Sequence, residues 1–170
     1  RLLRGVELIR GWNDHEIMDN GSPDDAFYVS NLATARAVMA AWSVGNPLNT
    51  DSGIDAGALY FRWTAGPIEH FVLDTQSYKS AITATDNASK TLYGATQKQW
   101  LKDYAATSTA GFKAIGSGYR LGTALTDHAD GPKSYQTEEA ELLTYFEAIA
   151  CSYWPEGDFH AVSVTHKASG

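Results

Sequence analysis

Apolar positions in this chain recur at two alternating periods, and their order predicts a mixed α/β domain. Val6, Leu8 and Ile9 form a short apolar run, read as a strand over Val6–Arg10. A loop of acidic, Gly and Pro residues follows and reaches Pro23. Asp24 or Asp25 then stands where a helix cap belongs, ahead of Phe27, Leu32, Ala35, Val38, Met39 and Trp42, spaced three and four apart on one face. Gly45-Asn46-Pro47 terminates that helix. Ala58 to Trp63 and Ile68 to Leu73 are rich in aromatic and β-branched residues, with Thr64-Ala65-Gly66-Pro67 between them, which is a hairpin pattern. Thr96 caps a predicted helix around Trp100, Leu101 and Tyr104, and Phe112 to Ile115 reads as a short strand. A Gly-containing loop with Asp127, His128 and Asp130 follows. The last predicted helix begins near Thr137, buries Leu142, Leu143, Phe146 and Ile149, and places Glu138 and Glu139 at its positive end.

Composition narrows the function classes without choosing among them. A length of 170 residues suits one domain with a sizeable core, and 44% hydrophobic with 19% charged residues describes an ordinary globular chain. The net charge of −7 argues against a nucleic-acid surface. No apolar stretch is long enough to span a bilayer. Cys151 is the single cysteine, so no internal disulfide can form. Arg1-Leu2-Leu3-Arg4-Gly5 reads as the last turn of a helix with its terminating glycine, so the chain is expected to be a piece of a longer protein.

The polar chemistry gathers at the two ends. Trp12-Asn13-Asp14-His15-Glu16 sets a carboxylate, an imidazole and a second carboxylate side by side after the first predicted strand. Such a trio offers a metal ligand, a proton donor and an orienting group. Gly157-Asp158-Phe159-His160 repeats the theme near the other end. Two such clusters bracketing one chain suit a metal-dependent hydrolase, provided they converge in space.

The chain resembles the PhoD-like alkaline phosphatases and phosphodiesterases of the calcineurin-like metallophosphoesterase superfamily. Trp12 to Glu16 is similar to that family's W-D-D-H-E, and Phe61-Arg62-Trp63 through Asp74-Thr75-Gln76-Ser77-Tyr78-Lys79 to its F-R-W-G … L-D-T-R-S-Y-R. Leu92 to Leu101, with Ser108 and Phe112-Lys113-Ala114-Ile115, is similar to its L-G-x-x-Q-x-x-W-L … S-x-A-x-W-K-V-I, and Gly157 to His160 to its G-D-x-H. The resemblance implies a two-sheet β-sandwich flanked by helices, of which residues 1–170 form the C-terminal part. It implies hydrolysis of phosphomonoesters or phosphodiesters, with iron and calcium as the metals and export to the periplasm or beyond. It makes Asp14, Asp158 and His160 metal ligands, His15 the imidazole facing the phosphoryl group, and Glu16 the residue orienting His15 from behind.

The chain departs from that pattern at Asn13, which replaces an Asp, and at Gln76 and Lys79, which replace two arginines. The family's upstream ligand segments are also missing ahead of Trp12. Asp14, Asp158 and His160 alone would underligand a two-metal centre. Two alternatives follow: a non-catalytic remnant that binds an anionic ligand, or a half-domain that completes itself against a partner chain such as a missing N-terminal half. Plainer readings stand beside the residues too. Asp74 can cap the Thr75-Gln76-Ser77 turn, His128 can be a solvated loop residue, His160 a packed one, and His70 and His166 have no expected catalytic part. Arg62, Trp63, Trp100 and Trp42 are read as packing residues.

Overall fold

In the computed structural model, which describes residues 11–42, 49–119 and 131–149, the expected hairpin forms around a tighter turn. Strand β1 (Phe61–Ala65) pairs antiparallel with β2 (Ile68–Val72), so Thr64 and Ala65 belong to the strand and only Gly66-Pro67 turns the chain. Gly66 sits at φ +59°, a conformation that glycine adopts without strain. Helix α2 (Ala95–Thr107) follows β2, and β3 (Phe112–Gly116) returns parallel to β2, giving the order β1-β2-β3. Helices α1 (Ala26–Trp42) and α3 (Gln136–Ala148) complete the mixed α/β layer. Of the implied two-sheet sandwich, the described residues contain one sheet. The strand expected over Val6–Arg10, the Gly45–Pro47 terminator and the loop around His128 lie outside the described residues.

The register decides which residues meet the helices. Arg62 lies opposite Phe71 and Phe71 beside Ile115, so these three share one face of the sheet. That face packs on α2 and α3: the Trp100 ring lies 5.7 Å from Phe71 and 4.9 Å from Tyr60, and Leu101, Leu142 and Phe146 join the same core. The opposite face carries Phe61, Trp63, His70, Val72 and Ala114. Phe61 and Ala114 are buried there, and His70 stacks flat on Trp63 with centroids 4.4 Å apart. The face toward α2 and α3 thus mixes apolar Phe71 and Ile115 with charged Arg62, Glu69 and Lys113. Arg62, read mainly as a packing residue, also joins Asp51 through two hydrogen bonds of 2.8 and 2.9 Å and bonds Glu69. Glu69 is buried, and its charge needs that partner.

Three helix expectations need correcting. Asp25 does cap α1, accepting the Phe27 and Tyr28 amides at 2.7 and 3.3 Å, but only half of the expected apolar face turns inward. Phe27, Val38 and Trp42 are exposed, whereas Tyr28 is buried and Leu32, Ala35 and Met39 are half-buried. The true stripe starts on Tyr28, one residue round from Phe27, because Tyr28 finds a hydrogen-bond partner inside. Next, α2 begins at Ala95 after Gly94, so Thr96 lies within the helix. The start is fixed by Thr91 Oγ1, which accepts the Gly94 N–H at 2.7 Å. Finally, Glu138 does more than complement the α3 dipole: it is buried and accepts the Leu92 amide at 2.5 Å and the Thr91 hydroxyl, with Lys98 Nζ at 3.3 Å.

Gly94 is a position where only glycine fits. Its φ of +80° is joined by a close approach, since a Cβ there would stand 2.7 Å from the Tyr78 Cβ. Gly94→Ala is expected to cost about 2 to 3 kcal/mol, read as a lowered urea midpoint with an unchanged slope. An unchanged midpoint would mean that the 91–95 segment relaxes freely.

Candidate metal-binding loop at the strand ends

The loop from Trp12 to Asn20 sits at the carboxyl ends of the parallel strands β2 and β3, because each of its first two side chains is tied there. Trp12, buried, donates its indole N–H to Asp74 Oδ1 at 2.7 Å, two residues past β2. Asn13 donates from Nδ2 to the Gly118 carbonyl at 3.2 Å, just past β3. Thr75 Oγ1 donates to the Trp12 carbonyl at 3.1 Å. Open α/β sheets bind ligands in this crevice beyond the strand ends. Asp74 Oδ1 also accepts the Gln76 and Ser77 amides at 3.0 and 2.9 Å, so the plainer reading of Asp74 as a turn cap holds.

Past Asn13 the chain makes one 3-10 turn over Asp14–Glu16. The Asp14 carbonyl accepts the Ile17 and Met18 amides at 2.7 and 2.8 Å. Glu16 reaches back to the Asn13 N–H at 2.8 Å, closing the start of the turn. Its carboxylate thus engages the backbone under His15, whereas the groups nearest the imidazole are aspartates. The Asp14 carboxylate is 1% exposed and accepts the Asn20 amide on Oδ2 at 2.6 Å, which holds Asn20 at the unusual φ of +52°. His15 projects outward, with Nε2 4.0 Å from Asp14 Oδ2 and 3.6 Å from Asp19 Oδ1.

Asp14, His15 and Asp19 can each offer one ligand atom, and those atoms lie within 4.8 Å of one another. Two donors that share an ion at about 2.1 Å stand roughly 3.0 to 3.4 Å apart, so these side chains would have to draw closer together to hold one. Carboxylate and imidazole donors suit iron, manganese or zinc, and carboxylates also suit calcium. The donor set therefore fits a metal ion. Asp19 was not read from the sequence as a candidate, although it stands four residues after His15 in the acidic loop. Asp158 and His160 lie outside the described residues, as do His128 and Cys151. His70 is accounted for by packing: burial lowers its pKa, which favours the neutral ring stacked on Trp63.

A mixed α/β layer with a carboxylate–imidazole turn beyond its strand ends belongs to the class of proteins that place polar chemistry on loops over a rigid sheet. The chain belongs to the PhoD-like phosphatase family, whose model matches residues 4–168. No curated protein and no solved structure matches it. Membership points to a phosphatase-type hydrolase that acts on a phosphoester. No helix among the described residues is long and apolar enough to cross a membrane.

Proposed function

We propose that this protein hydrolyses phosphomonoesters or phosphodiesters with bound metal ions, held in part by the Asp14–Asp19 loop. The observation that carries the reading is the meeting of Asp14, His15 and Asp19 ligand atoms within 4.8 Å at the strand ends of a PhoD-like chain. Asp14 serves as a ligand, and Asp158 and His160 are further ligands from the second polar cluster. Iron with calcium is the metal pair that the family likeness favours, and the same likeness favours a periplasmic or extracellular location. When bound, the ions would neutralise phosphoryl charge and acidify a bound water.

The remaining roles fall to the chain itself. His15 is exposed enough to meet a substrate, and its imidazole can pass a proton to a leaving oxygen. Glu16 shapes the turn beneath His15 by holding the Asn13 amide, which fixes the direction in which the ring points. Phe61, Trp63, Val72 and Ala114 make the second sheet face largely apolar, which supports a two-sheet sandwich of which residues 1–170 form the C-terminal part.

Metal analysis of the purified complete protein is expected to find more than one equivalent per chain. Chelation should abolish hydrolysis of p-nitrophenyl phosphate or its bis-ester, and added iron with calcium should restore it. Full turnover in metal-stripped protein would refute the proposal. A second reading, a half-domain that completes itself on a partner chain, is favoured by the exposed Phe27, Val29, Val38 and Trp42 of α1. A monodisperse monomer in sedimentation counts against it.

A further inference from the structure

We infer that Asn13 and Gln76 are a matched pair of positioning residues, one exchange in place of two independent losses, that tethers the Asp14–His15 turn to the ends of β2 and β3. The two residues are 63 positions apart, yet Gln76 Nε2 donates to Asn13 Oδ1 at 3.1 Å. They are also two of the positions at which the chain departs from the pattern it resembles, Asp in W-D-D-H-E and Arg in L-D-T-R-S-Y-R. The positioning role rests on Asp14 and His15 forming the reacting site proposed above.

Both ends of both amides are used. Asn13 accepts from Gln76 on one side and donates to the Gly118 carbonyl at 3.2 Å on the other. Gln76, fully buried, has Tyr119 Oη at 3.0 Å and Thr75 Oγ1 at 3.2 Å as further acceptors for Nε2, while its Oε1 lies 3.2 Å from the Tyr28 hydroxyl. One side chain thereby joins the entry to the turn, the exit of β2, the exit of β3 and the start of α1. The junction is tight, because a Cβ on Gly118 would lie 2.8 Å from Thr75 Oγ1 and 3.1 Å from the Trp12 carbonyl.

That geometry forbids changing one member alone. A carboxylate at position 13 would turn an oxygen towards the Gly118 carbonyl, replacing a hydrogen bond by repulsion. A guanidinium at position 76 would be a buried charge facing a neutral amide, and Lys79 Nζ already lies 3.4 Å from the same Tyr119 hydroxyl. Made together, the two changes set a carboxylate against a guanidinium, whose two-pronged fork can take both carboxylate oxygens and turn them away from the Gly118 carbonyl. The neutral amide pair and the ion pair are two solutions to one tether. The departures at Asn13 and Gln76 therefore do not mark decay of the site.

The test is a double-mutant cycle on the complete protein with Asn13→Asp, Gln76→Arg and the combination. Each single change is expected to raise the unfolding equilibrium constant by about tenfold and to lower kcat on p-nitrophenyl phosphate by about tenfold or more. The double variant should recover both to within about threefold. Additive losses would overturn the pairing, and recovery of stability without recovery of kcat would overturn the positioning role. If Gln76→Arg alone does not fold, a folded double variant supports the pair and an unfolded one sinks it. If the native protein shows no turnover, the phosphatase reading fails, and the same cycle read in Mn²⁺ affinity still decides the tether.

Discussion

Replacing Asp14 by alanine is expected to lower phosphoester turnover by about 10³-fold or more, the scale of losing a group that holds a catalytic cation. The side chain has two tasks, and the structure shows how to separate them. Asp14, itself 1% exposed, accepts the Asn20 amide on Oδ2 at 2.6 Å, so truncation also releases that part-buried N–H. That release costs about 1 to 3 kcal/mol of stability on its own. Asp14→Asn keeps an oxygen for Asn20 but removes the charge. It should therefore unfold nearly as the native protein does while losing most of its turnover. Kinetics on p-nitrophenyl phosphate beside a urea melt of both variants would make the comparison. Native turnover in Asp14→Ala would end the assignment of Asp14 as a ligand. Equal losses of stability and activity in both variants would reduce it to a turn-former.

How much of this was legible in the chain varies with the range of the interaction concerned. The hairpin, β3 and α3 are announced by local patterns: alternating aromatic residues around Gly66-Pro67, the short run at Phe112, and the three-and-four spacing of Leu142 and Phe146. Half of the α1 face was misread because periodicity weights apolar side chains. The residue that turns inward is Tyr28, whose hydroxyl donates to the Gln76 carbonyl at 2.7 Å, 48 positions away. No local pattern encodes that bond. Thr96 misled for a related reason: the cap stands two residues earlier, at Gly94, whose positive φ and whose amide's bond to Thr91 Oγ1 set the start, and neither is visible in the local pattern.

The site divides in the same way. The sequence flagged Asp14, His15 and Glu16 by adjacency, and the turn they make is local enough to follow from Asn13 and Glu16 as a capping pair. It could not show that Asp19 folds back to within 3.6 Å of His15, since that depends on Asn20 accepting a positive φ. Nor could it show that Asn13 meets Gln76. Read one at a time, those two departures from the family pattern argued for a remnant. Seen in contact, they form one tether, with Gln76 Nε2 donating to Asn13 Oδ1 at 3.1 Å.

The largest loss of stability is expected at Trp100, and it carries the site with it. Trp100 is 2% exposed, with rings of Tyr60, Phe71 and Tyr104 at 4.9, 5.7 and 6.3 Å. Its indole N–H donates to Asp51 Oδ2 at 2.8 Å. Trp100→Ala removes those contacts and leaves a void between α2 and the sheet, for about 3 to 5 kcal/mol. That is a large part of the 5 to 15 kcal/mol that holds a domain of this kind together. The effect reaches the loop through a short relay. One turn earlier in α2, Gln97 accepts the Asp74 amide at 2.7 Å and donates to its carbonyl at 2.9 Å, and Asp74 in turn holds Trp12. Trp100→Phe keeps an aromatic ring and loses the hydrogen bond, so it should cost less, about 1 to 2 kcal/mol. Melting followed by circular dichroism, with turnover measured at low and high temperature, separates the outcomes. Turnover in Trp100→Ala should return on cooling as the folded fraction returns. A variant that stays folded yet inactive at low temperature would show that α2 acts on the site by some route other than holding Asp74 in place.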